Sequence, residues 1–434
     1  MLRIFRASEL SASERAALLL RASNEDRAAP EAVREIIDRI EREGADAVID
    51  YTRKFDGVDL SARGLFALPA EFDAAERSLP ENLKAAFRAA HKNITAYHVL
   101  QRESLVDREA EIDGAQLGFR YTPVEGAGIY VPGGKASYPS SVLMGVIPAV
   151  IAGVEYTLLI TPPDKDGSID PAVLYCARLA GCERVLKAGG AQGVAAAAFG
   201  LGGRRVQVIA GPGNRYVMAA KSILTARGLI RMDMPAGPSE VLVIADESAN
   251  AEYVAADMLS QAEHGEDSPA VLLTPSYEFA QAVDRAIQKG IAARPERAEM
   301  KSTSIREHSF AVVYDDFEDA FAFANEYGAE HLEICTKDPR ADFRKITSAG
   351  SVFLGHYAPV ALGDYYSGTN HVLPTGGAAR AYSGLGVEIF LKRITYQHPT
   401  RASLERALEP ILLMSKQEGF DQEHGHSVAV RFDS

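Results

Sequence analysis

From Gly126 onward the chain alternates short apolar runs with helical patterns, and this alternation restricts the fold more than any other feature. GAGIYV reads as a strand, SYPSSVLMGVIPAVIAG as a helix and YTLLIT as a strand. DPAVLYCARLAG follows as a helix with Asp170 at its N-cap, Pro171 at its first position and Gly181 past its end. ERVLKA, AQGVAAAAFG, RVQVIA and NRYVMAAKSILTARG continue the series as strand, helix, strand and helix. One helix between successive strands builds βαβ units, whose strands lie parallel. Ligands of such sheets gather at the carboxyl ends of the strands.

A second series runs through SEVLVIAD, ANAEYVAADMLSQAEHG, PAVLLTP, YEFAQAVDRAIQKG and FAVVYDD, with GSVFLG later. Two sheets are therefore expected. Residues 30 to 100 are charged and helix-patterned, as in PEAVREIIDRIEREG, with Pro30 suited to a first helical position and Gly44 to a cap. If these helices pack on the second sheet, the first sheet is an insertion. The expected fold is α/β with two Rossmann-like doubly wound domains. A helical arm covers 1–25, a discontinuous α/β domain covers 26–128 and 241–376, the inserted domain covers 129–240, and a helical tail covers 377–434.

A chain of 434 residues with 47% apolar content buries sizeable cores. Its net charge of -13 argues against nucleic acid, because polyanions are held by clustered Lys and Arg. Cys176, Cys182 and Cys335 are odd in number and lack CxxC spacing, so small buried hydrophobes are expected in place of disulfides or a thiolate zinc site. The N-terminal MLRIFRASELSASERAALLL lacks the order of a secretory signal, which makes a cytoplasmic location the expectation. The apolar stretch from Val142 to Ile160 contains Pro148, Gly153 and Glu155. It reads as a buried helix, a glycine cap and a buried strand, and no membrane span is expected.

Three Gly-rich turns follow predicted strands: VPGGK (131–135), AGGAQG (188–193) and AGPGN (210–214). Glycines admit a phosphate close to the backbone, and helix N-termini attract anions. None matches GxGxxG or a P-loop, and a tight βα turn needs no ligand. Three such turns in one sheet favour a nucleotide-like ligand.

Polar constellations stand apart from these turns. Gln261 and His264 in QAEH lie three apart near a helix end and share a face. Glu330-His331 in AEHLEI, Asp364 and His371 in GDYYSGTNHVLP, and His424 in EHGHSVAVR follow. Imidazole, carboxylate and amide donors suit Zn²⁺ or Mn²⁺, but the spacing is no HExxH, and an isolated His is more often a satisfied surface or core residue. Glu330 and His331 make an acid–base pair if a turn brings both to one side; in a regular strand they point to opposite faces.

Taken together, GIYVPGGKASYPSSVLMGVIPAVIAGV, AGPGNRYV, DMPAGPSEVLVIADESAN, LSQAEH, AEHLEI and GDYYSGTNHVLPTGG closely resemble, in this order, the histidinol dehydrogenase family. The resemblance spans nearly the whole chain. It implies an NAD-dependent enzyme that oxidises L-histidinol through L-histidinal to L-histidine, the last step of histidine biosynthesis. It implies a homodimer with shared sites, one zinc per subunit, NAD on the inserted domain and a tail that reaches the partner. Carried over residue by residue, zinc ligands fall on Gln261, His264, Asp364 and His424, the last from the other subunit. NAD contacts fall on Tyr130, Gln192 and Asn214. His331 would take the proton of the alcohol, and Glu330 would activate the water that adds to the aldehyde. The implied substrate contacts are Ser239, His371 and Glu418, together with Gln261, His264, His331, Asp364 and His424.

The chain departs from the family pattern in three places. One extra residue stands between Glu418 and His424, Gly265-Glu266-Asp267 replaces an Asp-Pro, and Gly384-Leu385-Gly386 replaces a Ser-containing stretch. Related dehydrogenases of other polar alcohols, such as sulfopropanediol, share the zinc and NAD apparatus. A zinc hydrolase explains the metal and the acid–base pair but not the Gly-rich turns. A cofactor-free binding protein explains the turns and leaves the polar constellation idle.

Overall fold

The computed structural model describes residues 1–20, 29–133 and 137–432. It forms two compact units, Met1–Gln101 with Val124–Phe390 and Arg102–Pro123 with Leu391–Ser434. Strand β1 (Arg3–Arg6) opens the chain, and β2 (Arg108–Ile112) and β3 (Ala115–Pro123) form a hairpin. Next come β4 (Gly126–Tyr130), β5 (Tyr156–Thr161), β6 (Val185–Lys187), β7 (Val208–Ala210) and β8 (Arg231–Met232). Then follow β9 (Val241–Ala245), β10 (Ala270–Thr274), β11 (Phe310–Val313), β12 (His331–Cys335), β13 (Ser351–Leu354) and finally β14 (Leu391–Pro399).

In the first unit, β4 to β8 form a parallel sheet in the order β6-β5-β4-β7-β8. Counted within the sheet this is 3-2-1-4-5, the doubly wound order, and it reverses between β4 and β7. The larger sheet, β1-β11-β10-β9-β12-β13, is also all parallel and repeats the same order from β9, with β1 added at its edge. Its reversal lies between β9 and β12. Strands β4 to β7 and β9 to β12 are buried at every residue. Helices on both faces of a parallel sheet exclude water from each, which is why these strands are near-continuous apolar runs.

The stretch from Val142 to Ile160 forms the end of the helix Pro139–Ala152, a left-handed cap at Gly153 and β5. Among the described residues no helix is long and apolar enough to cross a membrane. All three cysteines are buried and free.

The structure corrects the sequence reading at both ends and at the N-terminal helices: Ala29–Glu43, Ala45–Asp56 and Pro69–Ser78 pack on the helices of the smaller sheet and not on the larger one. The N-terminal arm opens as strand β1 before the helix Ala12–Leu19; RIFR is too short to show a period, and residues 21–28 lie outside the described residues. The tail is not helical throughout. Residues up to Phe390 stay with the first unit, and the nine-residue β14 follows, pairing antiparallel with β3 along its length, so that residues 102–123 join the second unit and not the α/β domain. The β14 residues beyond Leu391 are exposed and mostly polar, and no apolar run marked the strand. Strand β12, absent from the expected series, lies inside the larger sheet.

Candidate active site

The polar cluster of the larger sheet stands where β9 and β12 begin, at the amino edge of its reversal, with His331 in register with Val241. Expectation put ligands at the carboxyl edge. The amino edge is the polar one here because Glu240 and Glu330 immediately precede the two strands. Glu330 Oε2 accepts the Glu240 N–H at 2.8 Å, and Glu240 Oε1 accepts the Glu330 N–H at 3.2 Å. Glu240 Oε1 also accepts the Gly376 N–H at 3.1 Å. These bonds turn Glu330 away from the strand alternation and onto the side of His331, whose Nδ1 lies 3.4 Å from Glu330 Oε2.

His331 Nδ1 donates to the Glu240 carbonyl at 3.1 Å, which fixes the tautomer of the neutral ring and leaves Nε2 as its basic nitrogen. That Nε2 is buried without a hydrogen-bond partner, 3.8 Å from Asp364 Oδ1. Burial alone lowers the proton affinity of the ring, but the charges of Glu330 and Asp364 outweigh it and raise the pKa to about 9. His371 repeats the arrangement: Nδ1 donates to the Asp364 carbonyl at 3.0 Å, and Nε2 lies 3.2 Å from Ser141 Oγ. Burial holds His371 below its ordinary value.

Gln261 closes the helix Ala251–Ala262, which packs against the helix Val360–Tyr365 that carries Asp364. Its side chain is buried, and neither amide atom has a partner. An unpaired buried amide costs on the order of 1–3 kcal/mol per group, so its oxygen suits a donor or a cation. His264 Nδ1 donates to the Ser260 carbonyl at 3.0 Å, so Nε2 is the outward nitrogen. This backbone bond leaves Nε2 open as a donor nitrogen. Among the described residues no three His, Cys, Asp or Glu side chains form a metal-binding group. Gln261, His264 and Asp364 contribute two such side chains and one amide. Glu418 and His424 belong to the second unit and are exposed there, His424 with its ring 5.3 Å from that of Phe420. Ser239 is half-buried just before Glu240.

The carboxyl edge of the smaller sheet gathers the other candidates. Tyr130 ends β4, and its hydroxyl oxygen accepts the Gly190 N–H at 3.0 Å. Gln192 is buried and donates to Asp56 Oδ2 at 3.3 Å. Asn214 caps the helix Arg215–Ala226 by accepting the Tyr216 and Val217 N–H groups. Gly211, at φ +115°, sits so close to the Tyr130 carbonyl that a Cβ would lie 2.1 Å from its oxygen. The buried pair Lys221–Asp233 anchors this turn: Lys221 Nζ donates to the Gly211 carbonyl at 2.8 Å, and Asp233 Oδ2 accepts its N–H at 2.7 Å. A cleft of about 430 Å³, lined in part by Asp56, Gly133, Pro162 and Asp170, opens at the same edge. Gly134 and Lys135 of the first turn lie outside the described residues.

Sequence reasoning missed Glu240, Asp56 and the Lys221–Asp233 pair. Each acts on a backbone group or side chain distant in sequence, and no periodicity records such contacts. Only an acid flanking a buried apolar strand, as in PSEVLVIA, could have pointed to Glu240.

A buried imidazole held between carboxylates with its outer nitrogen free is an acid–base centre, and its setting makes this an α/β enzyme. Comparison with known proteins gives the particular family. The family model described as histidinol dehydrogenase matches residues 19–432, and the chain belongs to that family of oxidoreductases. It is 49% identical over 397 residues to the histidinol dehydrogenase of Leptospira biflexa, covering 91% of this chain and 90% of that protein. It is 46% identical over 402 residues to that of Heliobacterium mobile, covering 92% and 93%. The crystal structure of histidinol dehydrogenase from Elizabethkingia anophelis superimposes with a TM-score of 0.93 at 39% identity, covering 99% of this chain and 98% of that one.

Proposed function

We propose that this chain oxidises L-histidinol through L-histidinal to L-histidine with NAD as acceptor, in the cytoplasm, as a homodimer with one zinc ion in each shared site. The observation that carries this reading is the free His331 Nε2 beside Asp364, at an edge where the buried Gln261 amide has no partner. Gln261, His264 and Asp364 supply one amide, one imidazole and one carboxylate, a donor set that suits Zn²⁺. His424 of the second subunit is the fourth ligand in this reading, and its exposure in the single chain leaves it accessible to a partner. Zinc, when bound, supplies a redox-inert charge that anchors the imidazole and amine of the substrate. NAD, when bound, accepts one hydride in each of two oxidations.

The chain's own residues handle the protons. His331 Nε2 takes the proton of the alcohol, with the Glu330 carboxylate beside Nδ1 at 3.4 Å. The Glu240 carbonyl keeps Nδ1 protonated throughout, so the ring accepts only at Nε2. Glu330 then serves as the base for the water that adds to the aldehyde. His371, Ser239 and Glu418 orient the substrate. Tyr130, Gln192 and Asn214 border the dinucleotide at the carboxyl edge of the smaller sheet.

The test is the yield of NADH per L-histidinol from zinc-loaded protein, with sulfopropanediol run beside it. Two NADH with histidine as product are expected. NADH from the other alcohol alone would move the chain to a related dehydrogenase.

A further inference from the structure

Behind the acid–base pair lies a second pair of carboxyl groups that this mechanism leaves unused. Glu333 follows His331 by two residues in β12 and therefore points to the same face of the sheet, toward the helix Ala251–Ala262. It is 1% exposed. Asp257, one helical turn before Gln261, pairs with it there and lines one small cavity with Cys335, the next β12 residue on that face. Glu333 Oε1 accepts the Val360 N–H at 3.2 Å, at the first residue of the helix that carries Asp364. Its Oε2 is buried and has no donor unless one carboxyl of the pair keeps its proton.

We propose that Glu333 and Asp257 form a carboxylic acid–carboxylate clamp that sets the helix bearing Asp364 against the helix that bears Gln261 and leads into His264. Two ionised carboxylates cannot face each other in a core, so one proton is shared between them. Glu333 carries it: burial and then the Asp257 charge push it well above the carboxylate range, against the smaller pull of the Val360 N–H and of His331. Asp257 is pushed up to about 6 by burial and keeps the charge, because it borders a small cavity with Asn250, Tyr253, Cys335 and His356. One side chain thus joins three elements that carry site residues: the strand of His331, the helix of Gln261 and the helix of Asp364. Both acids are positioning residues and touch no reacting atom. Partners that orient metal ligands affect affinity nearly as much as the ligands do.

The inference rests on the zinc reading above, and its test separates the two. Glu333→Gln keeps an acceptor for Val360 and donates to Asp257 in place of the shared proton, whereas Glu333→Met fills the space without either bond. Zinc affinity of the full-length protein is measured by competition with a chromophoric chelator. Glu333→Gln is expected to bind within about threefold of the parent, and Glu333→Met to bind at least ~10-fold more weakly. Should Glu333→Met misfold, Asp257→Leu at the partly exposed end is expected to show the same weakening. A folded variant of either kind with undiminished affinity would overturn the clamp. Infrared difference spectra of ¹³C-glutamate-labelled protein give a readout without metal: a protonated carboxyl band at neutral pH that Glu333→Gln removes. No such band would overturn the shared proton. A parent protein that binds no zinc would sink the metal reading, and the infrared band would still decide whether the acid pair exists.

Discussion

Glu240 and Glu330, ninety positions apart, each accept the backbone N–H of the other, and this reciprocal pair fixes the amino ends of β9 and β12. The Glu240 carbonyl in turn holds His331. Glu240→Ala leaves the Glu330 and Gly376 N–H groups without their acceptor and is expected to cost ~2 kcal/mol in urea unfolding, with a larger fall in kcat than in KM. Glu240→Gln keeps Oε1 and should retain most of the stability. Equal losses in the two variants would show that the charge, and not the acceptor, holds the strands.

Glu330 and His331 are assigned to different half-reactions. His331→Ala is expected to slow oxidation of the alcohol by at least ~100-fold, the usual contribution of a positioned base, while externally supplied histidinal is still oxidised. Glu330→Gln should mainly block use of the aldehyde, with a smaller loss in the alcohol step because it removes the charge beside His331. Stopped-flow measurement of NADH from each substrate separates the outcomes. Equal loss on both would undo the division of roles.

The alternation of strands and helices was legible because helices cover both faces of each sheet, leaving strands such as β9 and β10 apolar throughout. Strand β12 was not, since HLEIC places His331 and Glu333 in a fully buried strand and hides the apolar run. The β2–β3 hairpin and β14 escaped for the opposite reason: β2 and β14 are largely exposed and β3 is only half-buried, so no buried face sets a pattern on them. Gln261, His264, Glu330, His331, Asp364 and His371 were legible as motif residues. Their supports Glu240, Asp257 and Glu333 were not, because each works through a tertiary contact with a backbone or side chain far along the chain.

Gln261 carries two unpaired polar atoms in the core, so its removal is expected to separate stability from function. Gln261→Leu should leave the metal-free protein as stable as the parent or ~1 kcal/mol more stable, since an apolar group of like shape relieves the desolvation of the amide. Zinc affinity should fall by at least ~10-fold. Urea midpoints and chelator competition check the two halves. A loss of stability in the metal-free variant would mean that the amide is already satisfied.

His424 and Glu330 belong to different units of the chain, and the proposed shared site assigns them to different subunits. His424→Ala and Glu330→Ala homodimers should each be inactive. In a verified heterodimer of the two, one site regains both residues, and about a quarter to a half of the parental activity is expected to return, given the one-of-two arithmetic of a C2 dimer. Activity that never returns would place His424 outside the partner's site.

Burial pushes the carboxyl group of Asp56 up to about 6, against the opposing hydrogen bond from Gln192. In the unfolded chain it titrates near the ordinary ~3.9. The folded state therefore binds the proton more tightly, and the stability tied to it is complete below about pH 4 and lost as pH rises through 6. Asp56→Asn keeps an acceptor for Gln192 and removes the titration. The variant should match the parent near pH 4 and exceed it by ~1 kcal/mol at pH 7, less than full burial would give because Asp56 keeps some solvent contact. Urea unfolding of both proteins at a series of pH values between 4 and 7 measures the difference. A flat difference across that range would show that Asp56 ionises normally and that the cleft beside it is fully hydrated.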